Sequence, residues 1–328
     1  MNKVRFVTSG YGDNYFGFLL TNIFSIRKTN PDADITVMWQ DIDEESINLL
    51  DKAFKNIKLV KMDFGLSDDF IKRISSKTRL WAKAVEMYKG ENLCILDSDT
   101  LVLKDVSHFF DEDFDVVFTY KDERVPLNTG VMLVSATDKT TSFFAEWRDR
   151  TIDILNSKED FKKSNSADYP YGGSDQMSFY QMIDYKRDKI NFNIKNKEGE
   201  LLVVGKSCEI LNETRSKGIT EKTHIIHYKG GWRPIFSKGF CFTKNRPKNK
   251  CWEMYMLFLK TYLEAIKILS SVDSNAGCKD FGIKIPFYLD SETLDENRLK
   301  YFVFWFVQNI LFYLRKANKL MSLIIRKK

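Results

Sequence analysis

The feature that most constrains this chain is the rhythm of its first hundred residues. Val4 to Thr8 is a short apolar run closed by the turn-like Ser9-Gly10-Tyr11-Gly12-Asp13. Tyr15 to Arg27 then has helical periodicity, Ile35 to Trp39 reads as a strand, and Glu44 to Phe54 as a helix. Ile57 to Lys61 is strand-like, Lys77 to Tyr88 helical, and Leu93-Cys94-Ile95-Leu96 a compact apolar strand. This alternation implies a mostly parallel, Rossmann-like sheet covered by helices on both faces, so the fold class is α/β. Val116 to Tyr120, Val131 to Ser135 and Thr223 to Tyr228 supply further strands; Asp138 to Asn156 and Ser174 to Ile183 supply helices. Ser157 to Tyr171, polar and lysine-rich, reads as a mobile loop. From Cys251 onward the pattern is helical, interrupted from Ser270 to Pro286. The expected division is a domain over 1–250 and a helical C-terminal extension over 251–328.

In such a sheet, ligands bind beyond the carboxyl ends of the strands. The polar residues there include Leu96-Asp97-Ser98-Asp99-Thr100, directly after a buried strand. Two carboxylates this close repel unless a cation or a shared proton relieves them. Mg²⁺ or Mn²⁺ suits such oxygen ligands and also suits a diphosphate. The competing reading is a solvated acidic turn. Arg79 and Lys83, four apart, share a face of the Lys77–Tyr88 helix. Arg79 is the stronger candidate, because guanidinium binds phosphate through paired donors; Lys83 fits a solvated face. Gly172-Gly173-Ser174-Asp175-Gln176 opens a helix, where Ser174 could be the N-cap and Asp175 is favoured by the helix dipole.

The segments Asp13-Asn14-Tyr15, the Lys77-to-Lys83 helix, Asp97-Ser98-Asp99, Asn128-Thr129-Gly130-Val131, Ser174-Asp175-Gln176 and His227-Tyr228-Lys229-Gly230 follow one another in a set order. In that order the chain resembles glycosyltransferase family eight, the retaining group that includes glycogenin and bacterial lipopolysaccharide galactosyltransferases. The resemblance runs from about Val4 to about Pro234. It implies a GT-A fold and transfer of a hexose, galactose or glucose, from a UDP-sugar to a glycan or glycolipid acceptor. It implies that Thr8, Asn14 and Tyr15 hold the base, and that Asp97, Asp99 and His227 hold Mn²⁺ or Mg²⁺. Ser98, Asn128, Gly130, Gly230 and Arg233 would contact the nucleotide-sugar, and Arg79, Asp175 and Gln176 would act at the sugar and diphosphate. The family pattern H-x-x-G-x-x-K-P is matched by His227, Gly230 and Pro234, with Arg233 in place of the lysine. Ile235 stands where the family has tryptophan.

Other classes fare less well. A sugar-1-phosphate nucleotidyltransferase needs a glycine-rich loop with a basic residue after the first strand, and Thr8 to Tyr15 has none. The paired carboxylates argue against a non-catalytic sugar-nucleotide-binding module. The net charge of +6 is modest, and its clusters, Lys244 to Lys250 and Arg315 to Lys328, accompany no nucleic-acid module. With 43% hydrophobic residues a large core is available, and wholesale disorder is not expected. Cys94, Cys208, Cys241, Cys251 and Cys278 are scattered without a C-x-x-C pair, as in a reducing compartment. No secretory h-region follows Met1, and no apolar run reaches the ~18 residues of a spanning helix. Tyr301 to Leu314 is apolar and aromatic, and basic residues follow. It reads either as a docked core helix or as an interfacial helix on anionic lipid, and the charge favours the second. The expected location is cytoplasmic and peripheral to the membrane.

Overall fold

The computed structural model describes residues 3–63, 75–214, 218–230, 232–238, 252–279 and 281–283. Its strands are β1 (Val4–Tyr11), β2 (Asp34–Gln40), β3 (Ile57–Lys61), β4 (Asn92–Leu96), β5 (Thr100–Val102), β6 (Val116–Tyr120), β7 (Leu127–Ser135), β8 (Asn191–Asn196), β9 (Gly199–Ser207) and β10 (Ile225–His227). The helices are α1 (Phe16–Thr29), α2 (Glu44–Ala53), α3 (Lys77–Met87), α4 (Asp138–Asn156), α5 (Lys158–Asn165), α6 (Ser174–Met182), α7 (Cys208–Leu211), α8 (Trp232–Lys238) and α9 (Trp252–Val272).

Eight strands form one sheet in the order β3-β2-β1-β4-β7-β6-β9-β8, and β5 pairs with β10 beside it. The β3-β2-β1-β4 half is parallel. Strand β7 runs antiparallel to both of its neighbours, β4 and β6. Its first residues therefore share an edge with the end of β4, and Asp97 N–H donates to Gly130 O at 2.8 Å.

Alternation along the strands divides the core between the two faces of the sheet. Phe6, Cys94, Leu96 and Leu133 face a layer with Phe18, Tyr228, Phe236 and Phe258. Val7, Leu93, Ile95 and Met132 face the other, with Trp81, Phe143, Phe144, Trp147 and Phe179. Helix α9 belongs to the first layer: Phe258 lies 5.3 Å from Phe18 and 5.0 Å from Tyr228 between ring centroids.

The structure departs from the sequence reading in three places. Ser157 to Tyr171 is not all loop, because α5 occupies Lys158–Asn165. Ser157 caps it by accepting from Asp160 N–H at 3.2 Å, and Glu159 and Asp160 at one end and Lys162 and Lys163 at the other complement the helix dipole. Asn128-Thr129-Gly130 lies inside β7, which begins at Leu127 and not at Val131. The β8–β9 hairpin was not anticipated: β8 is mostly polar, and the apolar run of β9, Leu201 to Val204, is short. The basic cluster at 244–250 and the aromatic tail at 301–328 lie outside the described residues.

Trp147 joins this core to the functional edge. It is fully buried between Phe144 and Phe179, and its indole N–H donates to Asp175 O at 2.8 Å. Trp147→Ala should cost about 3–5 kcal/mol in urea denaturation. Trp147→Phe, which keeps a ring and loses the donor, should cost about 1–3 kcal/mol. An alanine variant as stable as wild type would show that Trp147 does not hold α6 in place.

Candidate active site

Just past β4, Asp97 and Asp99 point toward His227 at the end of β10. His227 Nε2 lies 3.1 Å from Asp99 Oδ1 and 3.7 Å from Asp97 Oδ2. One ligand atom from each of the three lies within 4.8 Å of the others. Two cations close the cluster. Arg233 Nε donates to Asp99 Oδ2 at 2.6 Å, and Lys77 Nζ sits 3.0 Å from both oxygens of Asp97 and 3.5 Å from Asp175 Oδ2.

The charges of this cluster depend on one another. Burial opposes ionisation of Asp99, which is 2% exposed, but Arg233 and His227 outweigh it and hold the carboxyl well below the usual carboxylate range. Burial likewise works against the Lys77 ammonium, and Asp97 and Asp175 reverse it, leaving its pKa above the ordinary value.

A hydrogen-bond chain sets the tautomer of His227. Gly130 N–H, a fixed backbone donor, reaches Asn128 Oδ1 at 2.9 Å, so that atom must be an acceptor. The Asn212 atom 2.7 Å from it must then be the amide nitrogen, which also donates to Thr119 Oγ1 at 2.6 Å. Asn212 Oδ1 is left to accept from His227 Nδ1 at 2.9 Å. Nδ1 therefore carries its proton toward Asn212, and Nε2 is the ring nitrogen that faces the two aspartates and is left for a metal ion.

This donor set fits a divalent cation, with hard carboxylate oxygens and one imidazole nitrogen converging on a common point. Glycine at 130 keeps the place open. A Cβ there would stand 2.3 Å from His227 Cε1 and 2.8 Å from Asp97 Oδ2.

The cluster opens into a cleft of about 500 Å³. Asp97, Asn128, Asp175, Gln176, His227, Gly230 and Arg233 all line it. Asp175 accepts from Thr129 Oγ1 at 3.0 Å and Ser75 Oγ at 3.3 Å. Gln176 Nε2 donates to Gly172 O at 3.1 Å, just before its own helix, while Oε1 is buried without a partner among the described residues. Gly230 has a positive φ of 63°, and open space surrounds it, so its conformation rather than crowding calls for glycine. Tyr15 approaches the cluster, its ring centroid 5.7 Å from Arg233 Cζ. Asn14 is exposed and Ser98 half-buried in the turn between the aspartates. Thr8 is fully buried in β1, and its hydroxyl has no partner among the described residues. Arg79 does not line the cleft; two residues from Lys77, it lies on the other side of α3. Lys77 is thus the basic side chain that α3 brings to the site. Sequence reasoning had placed it in the right helix without singling it out, and Asn212 carried no signal at all.

The fold and site can now be set beside known proteins. The sequence model of the nucleotide-diphospho-sugar transferases matches residues 41–235, more than half of the chain. The chain belongs to this family. It is a glycosyltransferase, and its resemblance to glycosyltransferase family eight stands. No curated protein matches the sequence. Among solved structures, the glycosyltransferase GlyE of Streptococcus pneumoniae superposes with a TM-score of 0.53 at 14% identity, over 84% of this chain and 64% of that one. The galactosyltransferase LgtC, solved with donor and acceptor sugar analogues, gives 0.46 at 17% identity, over 69% of this chain and 87% of that one. The bifunctional glycosyltransferase WbbM gives 0.49 at 15% identity, over 80% and 49%.

Two substitutions test the geometry of the transferase site directly. Gly130→Ala should abolish Mn²⁺ binding followed by electron paramagnetic resonance, because the methyl group displaces His227 or Asp97. Asn212→Leu should weaken Mn²⁺ by about 10–100-fold by freeing the imidazole to rotate or change tautomer. Wild-type affinity in both variants would rule out this arrangement as the ion site.

Proposed function

We propose that the chain is a retaining hexosyltransferase, moving galactose or glucose from a UDP-sugar to a glycan or glycolipid acceptor. The observation that carries this reading is the convergence of Asp97, Asp99 and His227 with two cations, Arg233 and Lys77, at the mouth of one cleft. In this reading the three residues hold Mn²⁺ or Mg²⁺, and the imidazole favours Mn²⁺. When bound, the ion supplies Lewis-acid stabilisation of the charge that develops on the departing diphosphate.

The protein's own groups do the rest. Arg233 uses Nε on Asp99, which leaves guanidinium N–H groups for phosphate oxygens. Lys77 adds a second fixed positive charge between Asp97 and Asp175, preorganised before the sugar arrives. Asp175 is committed to Thr129, Ser75 and Lys77, a setting suited to holding sugar hydroxyls in place. Gln176 Oε1, buried and unpartnered among the described residues, offers an acceptor to the same sugar. Tyr15, with Asn14 and Thr8, serves the uracil end, where an aromatic face suits a flat base. Retention follows either from a covalent sugar–enzyme intermediate or from same-face attack on an oxocarbenium-like centre.

Purified protein with a panel of UDP- and GDP-sugars should release nucleotide from one UDP-hexose in Mn²⁺ and not in EDTA. Asp97→Ala and Asp99→Ala should each lower that release by about a hundredfold or more. Full turnover by Asp97→Ala would sink the ion assignment.

The location belongs to the same proposal: the protein works at the cytoplasmic face of the membrane. No helix among the described residues is long and apolar enough to cross a membrane. The basic-aromatic sequence of the tail supports attachment to anionic lipid. Deleting residues 299–328 should release the protein from anionic vesicles in a flotation assay; unchanged flotation would end the idea.

A further inference from the structure

We propose that the acceptor carries an anionic group, phosphate or carboxylate, beside the hydroxyl it offers, and that Lys121 and Lys229 receive that group. This rests on the donor reading above. The sheet order gives the direction. The base end belongs to β1, the ion site to β4 and the sugar-facing Asn128 and Gly130 to β7, so the donor runs from β1 toward β7. Lys121 follows β6, the next strand beyond β7 and about 10 Å from β4 at the usual strand spacing, past the sugar end of the donor. That part of the cleft is left for the acceptor.

Its lining is basic. Lys121, Arg124 and Lys229 stand there against one carboxylate, Glu123. Arg124 is already engaged, donating to Ala167 O at 2.5 Å and Tyr169 O at 3.2 Å. Glu123 pairs with Lys121 and is itself 46% exposed, so water screens much of its charge. Lys229 has neither an ion pair nor a hydrogen bond among the described residues, although it is half-buried.

Chain geometry explains why Lys229 faces the cleft. His227 points into the site, and Tyr228 turns into the core, where its hydroxyl donates to Met254 O at 2.8 Å. Lys229 then returns to the side of His227. A cation removed from water without a counter-charge is costly, and a second ammonium nearby adds repulsion. A neutral acceptor would leave both costs standing, whereas an anionic group would relieve them. The donor's diphosphate does not serve, because Arg233 and Lys77 already attend the ion site on the other side.

The test begins with calorimetric titration of UDP and Mn²⁺ into the full chain. The UDP-saturated protein is then titrated with glucose, glucuronic acid and glucose 6-phosphate, which share one ring and differ in charge. One or both charged sugars should bind at least about tenfold tighter than glucose. Which of them does so distinguishes phosphate from carboxylate. The preference should vanish in Lys121→Gln/Lys229→Gln and shrink in Lys229→Gln alone. Thermal unfolding of each variant without ligand reports on folding, and the wild-type preference can be measured without any variant. UDP binding followed by equal affinity for the three sugars, or by binding of none, overturns the acceptor inference alone. So does a preference that survives in a folded double variant. Failure to bind UDP overturns the donor reading and this inference with it.

Discussion

The structure turns on the repulsion between Asp97 and Asp99. Held two residues apart at the end of a buried strand, they are tolerable only when positive charge meets both. An uncompensated buried charge costs about 3–5 kcal/mol, a large share of the stability of an ordinary domain. Arg233 meets Asp99, Lys77 meets Asp97, and His227 stands between them. These partners come from the start of α3, the end of β10 and the start of α8, elements far apart in sequence. The same compensation that makes the edge stable presents convergent oxygen and nitrogen donors to the cleft. Stability and chemistry are served by one set of charges.

The reversed strand β7 is the device that completes the set. Because it begins where β4 ends, Asn128, Thr129 and Gly130 arrive beside Asp97 as part of a hydrogen-bonded ladder. Each then has a separate task. Gly130 leaves room for the imidazole, Asn128 passes the orientation of a backbone amide through Asn212 to His227, and Thr129 steadies Asp175. A parallel strand would have put these residues at the far edge.

The family to which the chain belongs accounts for the donor half of the cleft. On the proposed reading, the other half carries charge that the donor does not use, in Lys121 and Lys229. These two lysines stand on the segments that follow β6 and β10, whereas Asp97, Asp99 and His227 meet where β4 and β10 end.

The sequence by itself determined the α/β class, the order of the first strands and helices, and the carboxylate pair, because these follow from local periodicity and from adjacent residues. The segment around His227 and Arg233 was legible through its spacing and its family resemblance. Tertiary structure decided which residues meet. Arg79 and Lys77 look interchangeable in a helix's sequence, and only the docking of α3 selects Lys77 for the cleft. Asn212 is an unremarkable amide until folding places it between Asn128 and His227. The helix within 157–171 shows the same limit, since its polar residues carry no apolar stripe and its support comes from capping and from Ser164 against Ser174 at 2.9 Å. Local pattern records which face of an element is buried; the direction of β7 and the partner of each charge are set by contacts across the sheet, between residues that the sequence does not place side by side.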